Sequence, residues 1–194
     1  GQNTLTGGTG ADNFVWEDEA HTKFTDIDTV TDFETGTDTL TFHLDYGTTD
    51  EVINLSSFAS GTVGEGSLSG FDGDGYWNSE DGVLHIDSNG DGDITDGADY
   101  QLNVAGEVDA SDISFVVSGG AGNDQITLGA GADVVEDFSS ENTSTVASSE
   151  GLAATIVSGN TITFGNGIDT VIGFTAGVDK LQVTDAGSAP TNLV

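Results

Sequence analysis

A nine-residue phrase constrains this chain more than anything else in it. Gly7-Gly8-Thr9-Gly10-Ala11-Asp12-Asn13-Phe14-Val15 returns as Gly119-Gly120-Ala121-Gly122-Asn123-Asp124-Gln125-Ile126-Thr127. Both fit Gly-Gly-x-Gly-x-Asp-x-apolar-x. The glycines permit a tight turn and leave backbone carbonyls bare. The aspartate adds a carboxylate, and the apolar residue opens a strand. A turn rich in oxygen donors, joined to a buried strand, is a cation-binding folding unit. A degenerate copy follows in tandem as Leu128-Gly129-Ala130-Gly131-Ala132-Asp133-Val134-Val135-Glu136, with Leu128 at the first glycine position. Gly1-Gln2-Asn3-Thr4-Leu5-Thr6 reads as the back half of one more copy, with Asn3 at the aspartate position. The expectation is therefore a fragment of a longer or processed protein.

A second phrase also occurs twice. Asp28-Thr29-Val30-Thr31-Asp32-Phe33-Glu34-Thr35-Gly36-Thr37-Asp38-Thr39-Leu40 aligns without gaps with Asp169-Thr170-Val171-Ile172-Gly173-Phe174-Thr175-Ala176-Gly177-Val178-Asp179-Lys180-Leu181. Asp133-Val134-Val135-Glu136-Asp137-Phe138 is a partial third copy. Each half of the chain thus opens with the glycine phrase and closes with this one. The expected organisation is a first module over 1–46, a β-rich insert over 47–118 and a second module over 119–194. Phe33 and Phe174 are expected as core anchors.

Charge points to the partner. The 194 residues carry 34 acids against two lysines, Lys23 and Lys180, for a formal charge of -32. A compact body so charged repels itself unless counter-ions bind. A disordered acidic chain is the alternative, but 35% of the residues are apolar and they are patterned. Because the acids cluster in glycine-rich loops, bound divalent cations explain the charge best. Nucleic acid is excluded as a partner, since nothing basic could neutralise phosphate. No stretch approaches membrane-spanning length, so membrane insertion is not expected.

Period-two alternation dominates, as in half-buried strands. Leu40, Phe42 and Leu44 alternate with Thr41 and His43. Tyr100, Leu102 and Val104 alternate with Gln101 and Asn103. Ile113, Phe115 and Val117 form a third set. Residues 156–162 read as a hairpin around Ser-Gly-Asn. One short helix is predicted over 48–60, where Thr48-Thr49-Asp50-Glu51 looks like a capping box ahead of Val52, Leu55 and Phe58.

The glycine phrases resemble the repeats-in-toxin (RTX) family. The resemblance implies an all-β fold built on short parallel β-roll turns, with flanking strands and hairpins and at most one or two short helices. It implies Ca2+ held between stacked turns, type I secretion, and folding only in a calcium-rich exterior. The Asp-Thr-Val-x-x-Phe-x-x-Gly-x-Asp-x-Leu phrase looks like the segment that caps the roll in that family. Candidate ligands in the repeats are Gly7, Thr9, Gly10, Asp12, Gly119, Ala121, Gly122, Asp124, Gly129, Gly131 and Asp133. In the closing phrases they are Asp28, Asp32, Asp38, Asp169 and Asp179. So few tandem copies imply short rolls rather than a long one.

A further acidic loop spans 87–99. Its oxygen donors at alternate positions, Asp87, Asn89 and Asp91, followed by Gly92 and Ile94, match the start of an EF-hand loop. Ala98 stands where the bidentate glutamate belongs, so Asp96 or Asp99 must substitute, with Asp93 adding its carbonyl. The flanks Val83–Ile86 and Tyr100–Val104 read as strands, which predicts a calcium-clasped β-hairpin. Asp72 and Asp74 form a weaker version. About half a dozen ions fit the loop count, given six to eight oxygens per calcium.

No His-Glu-x-x-His and no Gly-x-Ser-x-Gly occurs. No catalytic residue stands out, and no enzymatic activity is expected. Trp16, Trp77, Tyr76 and Phe71 are read as core or strand-capping aromatics in preference to a sugar-binding surface. The expected function is a calcium-dependent structural module of a large secreted bacterial cell-surface protein, S-layer-like or adhesin. Expected partners are neighbouring copies or the rest of a longer chain, with cell-surface polysaccharide as a further candidate. The alternative is the carboxy-terminal secretion and folding domain of a type I-exported enzyme.

Overall fold

A computed structural model describes residues 1–17, 26–45, 50, 52–61, 75–88, 99–120, 122–138, 161–164, 167–184 and 191–193. Among them the protein is all-β, and most strand pairings are parallel.

The chain passes repeatedly between sheets. β1 (Thr4–Leu5), β3 (Asp28–Val30) and β9 (Tyr100–Val104) lie side by side in the first sheet. β8 (Val83–Ile86), β7 (Gly75–Asn78) and β6 (Phe58–Gly61) extend it. β2 (Asn13–Trp16), β4 (Thr39–Asp45), β10 (Ile113–Ser118), β12 (Val134–Phe138), β15 (Lys180–Thr184) and β16 (Thr191–Leu193) make the second. β5 (Val52–Asn54), β11 (Gln125–Thr127), β14 (Gly167–Ile172) and β13 (Thr161–Phe164) make the third. Each pass is a rung stacked on an earlier one, and the second sheet draws strands from both ends and the middle of the sequence.

Alternation decides which face is buried. Leu40, Phe42 and Leu44 from β4, Phe115 and Val117 from β10, and Val135 and Leu181 point into one apolar core. Val30, Leu84, Ile86, Leu102 and Val104 enter it from the first sheet, and Ile53, Ile126 and Val171 from the third. Phe42 anchors the middle, with Trp16 stacked 5.4 Å away and Tyr100 at 5.0 Å. The Tyr100 hydroxyl donates to the His43 carbonyl at 2.7 Å, tying the first sheet to the second. Phe33 is buried and Phe174 packs half-buried against the core. Trp16, Trp77 and Tyr76 are buried too, which removes them from any sugar-binding surface; Phe71 lies outside the described residues.

Two expectations meet the structure directly. Val83–Ile86 and Tyr100–Val104 are antiparallel strands, Ile86 opposite Tyr100, as the flanks of the acidic loop predicted. Over the described part of the segment, residues 50 and 52–60, the helix expected over 48–60 does not form. Val52–Asn54 pairs in parallel with Gln125–Thr127, and Phe58–Gly61 pairs with Gly75–Asn78. Asp50, inside the phrase that resembled a capping box, accepts the Asn123 amide at 2.8 Å through its carboxylate. The one helical element among the described residues is a 3-10 turn, Ala110–Asp112. Residues 156–160 of the proposed hairpin lie outside the described residues; β13 pairs antiparallel with β14.

Candidate metal centre in the stacked turns

The connections between sheets are where the acids gather. Three consecutive rungs turn from the first sheet into the second over 6–12, 31–38 and 105–112, and two turn from the third sheet into the second over 128–133 and 173–179. Stacked parallel turns leave amides pointing along the stack, and each buried amide needs an acceptor. Aspartates supply it.

The two closing phrases do this identically. Asp38 accepts the Glu34 amide of its own turn at 2.9 Å and the Asp12 amide of the preceding rung at 3.1 Å. Asp179 accepts the Thr175 amide at 2.6 Å and the Asp133 amide at 3.1 Å. The backbone agrees, since Thr39 donates to the Asp12 carbonyl and Lys180 to the Asp133 carbonyl, each at 2.8 Å. Asp28 accepts the Asn3 amide at 2.7 Å, as Asp169 accepts the Asp124 amide at 2.8 Å. Asn3 therefore stands in the position of Asp124, and the turn 7–12 matches 128–133. This differs from the register that similarity alone suggests, in which Gly7 aligns with Gly119.

Asp133 is fully committed. Its Oδ1 accepts the Phe115 amide at 2.9 Å, 18 residues back, and its Oδ2 accepts the Gly129 amide at 2.8 Å. Burial pushes its carboxyl up to about 6; the two amides oppose the rise and the nearby Asp179 carboxylate adds to it. Below the unfolded value near 3.8 both states hold the proton. Between there and about 6 only the folded chain keeps it. This group's contribution to stability therefore declines as pH rises through that window, by about 3 kcal/mol in all, and is flat above it. In thermal melts from pH 4.5 to 7 at one fixed calcium concentration, wild type should lose more stability than Asp133→Asn. Parallel profiles would show that Asp133 does not titrate there.

Asp12 differs. Its Oδ2 is buried and accepts no hydrogen bond. It lies over Gly7, where an added Cβ would stand 2.6 Å from that oxygen, so only glycine fits beneath it. Gly119 bears the same relation to Asp124 Oδ2. Calcium is a hard cation that takes carboxylate and carbonyl oxygens. A buried carboxylate oxygen without a donor, in a turn of glycines with bare carbonyls, fits it. Among the described residues no three His, Asp or Glu side chains converge, so main-chain oxygens would complete such a shell.

Asp32 accepts the Gly7 amide at 2.9 Å and the Gly8 amide at 2.8 Å. Gly10, with φ +118°, and Gly122, with φ +155°, are turn glycines, and Thr9 lies exposed between Gly8 and Gly10. Gly129 and Gly131 press against the Leu55 and Ile113 carbonyls. Asp87 and Asp99 are wholly buried at the mouth of the β8–β9 hairpin, where Asp99 accepts the Ser88 amide at 3.0 Å. Asp72, Asp74, Asn89, Asp91, Asp93, Asp96 and Ala121 lie outside the described residues.

Sequence reasoning missed Asp112. Its carboxylate accepts the Gly36 amide at 2.8 Å and the Thr35 hydroxyl at 2.6 Å, joining the third rung to the second. Its place just before the apolar strand β10, like Asp12 before β2, was the available signal. No family model, curated protein or solved structure matches the chain.

Proposed function

We propose that this chain is a calcium-dependent structural module of a large secreted bacterial cell-surface protein, of S-layer or adhesin kind, and that its stacked rungs are short RTX-type β-rolls. The observation that carries the reading is the buried, donor-free Asp12 Oδ2 above Gly7, in a chain of net charge -32. A cation there supplies the missing partner and offsets the self-repulsion of the folded body. The 18-residue step from Phe115 to Asp133 supports the roll, because it equals two nine-residue repeats. The continuous core supports a scaffolding role, in which the module binds neighbouring copies or the rest of a longer chain.

Circular dichroism with and without a chelator tests the calcium requirement. Strand signal should fall on chelation and return with calcium but not with magnesium, which demands a tighter octahedral shell. A chain equally folded without calcium would overturn the reading. Electron microscopy of the native material in calcium addresses assembly: a two-dimensional lattice supports the surface-array role, and isolated particles remove it.

A further inference from the structure

The two modules share the hydrogen bonds made by Asp28 and Asp38 and by Asp169 and Asp179, and they differ in what receives the amides at the start of the turn. In the first, the amides of Gly7 and Gly8 both donate to Asp32. In the second, the matching amides go elsewhere: Leu128 donates to the Ile172 carbonyl at 2.9 Å, and Gly129 to Asp133 Oδ2 at 2.8 Å. The residue in the place of Asp32 is Gly173, which has no side chain to offer. We infer that this single difference sorts the turns into two roles: Asp32 takes the Gly7 and Gly8 amides and thereby leaves the Asp12 carboxylate to a cation, whereas Asp133, with Gly173 beside its turn, caps its own amide and serves structure. The inference rests on the calcium reading and assigns Asp32 as a positioning residue, not a ligand.

Asp12 and Asp32 compete for one donor. An aspartate four residues after a turn amide reaches back to it, as Asp38, Asp133 and Asp179 all do. Asp12 has the same spacing from Gly8 yet makes no such bond, because both oxygens of Asp32 already hold that amide and its neighbour. Asp12 Oδ2 stays buried and without a donor. A carboxylate oxygen out of water without a partner is costly, and a cation removes that cost. Gly173 has φ +83° and its missing Cβ would meet nothing closer than the Leu128 carbonyl at 3.4 Å. An aspartate is among the side chains that tolerate such a φ.

Calcium titration calorimetry on the whole chain, read for ion count and affinity, tests the exchange. In Asp32→Gly, Asp12 should swing onto the Gly8 amide, and one ion should be lost or weakened about 10- to 100-fold, the usual effect of removing a residue that orients a ligand. In the reciprocal Gly173→Asp, Asp133 should be released and one ion gained. This second arm decides the matter if Asp32→Gly does not fold. Unchanged count and affinity in either folded variant overturns the inference while leaving the calcium reading intact. A wild-type chain that binds no calcium overturns both.

Discussion

Replacing Gly131 with alanine should prevent the second module from folding. The added Cβ would fall inside the Ile113 carbonyl oxygen, with the carbonyl carbon at 2.7 Å and Ser114 Oγ at 3.2 Å. The obstacle is backbone in the middle of the sheet, so no rotamer change relieves it. Nor can the rung slide. Ala132 donates to Ser114 Oγ at 3.2 Å, and Asp133 accepts the Phe115 amide at 2.9 Å, which pins the chain immediately after Gly131. Val116 and Val134 then hold the parallel register. The cost should exceed about 4 kcal/mol, the range reached only by a named steric or electrostatic failure. Against a total stability of about 5–15 kcal/mol, that removes much of the folded state. Gly36→Ala is the control. Gly36 adopts a left-handed φ, +74°, but its missing Cβ faces open space, so the loss should be about 1–2 kcal/mol. Denaturant unfolding compares the two. If Gly131→Ala unfolds no more easily than Gly36→Ala, the rungs do not approach each other this closely.

That close approach shows what the residues declared on their own and what they did not. The alternating apolar residues of β4, β9 and β10 marked both the strands and their buried faces, because burial on one face of a pleated strand repeats every second residue. The acidic-loop flanks were legible for the same reason. The segment over 48–60 misled because Val52, Leu55 and Phe58 recur at three-residue spacing, which suits one face of a helix. Val52 and Phe58 instead open two short strands with Leu55 between them, and pairing of Val52–Asn54 with a strand more than seventy residues later decides for strand. Local propensity carries no information about that partner.

The acids were legible as a class but not one by one. Nothing in Asp12, Asp32 or Asp133 alone says which amide each will meet, since that depends on what stacks above and below. The gapless match between the closing phrases was the strongest clue, and the structure gives its physical content: Asp38 and Asp179 occupy one role, hydrogen bond for hydrogen bond. The match of Gly7 to Gly119 was weaker evidence of equivalence. Sheet connectivity assigns Gly119–Asp124 to a turn entering the third sheet, whereas 7–12 and 128–133 both enter the second.

Removing Asp38 or Asp179 should be the next most damaging change. Each carboxylate closes its own turn and clamps the preceding rung, so alanine strands two amides at once: Glu34 and Asp12 in one case, Thr175 and Asp133 in the other. A buried donor left without an acceptor costs about 1–3 kcal/mol. Each alanine variant should therefore lose about 2–5 kcal/mol, and asparagine, which keeps one acceptor oxygen, about half as much. Asp179→Ala carries a second signature. The Asp179 carboxylate is one of the influences that raise Asp133. Without it Asp133 releases its proton at lower pH, and the window over which stability falls with pH narrows. Asp38→Ala has no such effect, because it leaves the surroundings of Asp133 intact. Denaturant unfolding at pH 5 and pH 7 separates the two. A loss below about 1 kcal/mol in both alanine variants would mean that water serves these amides as well as the aspartates do, and the carboxylates would then be dispensable to the stack.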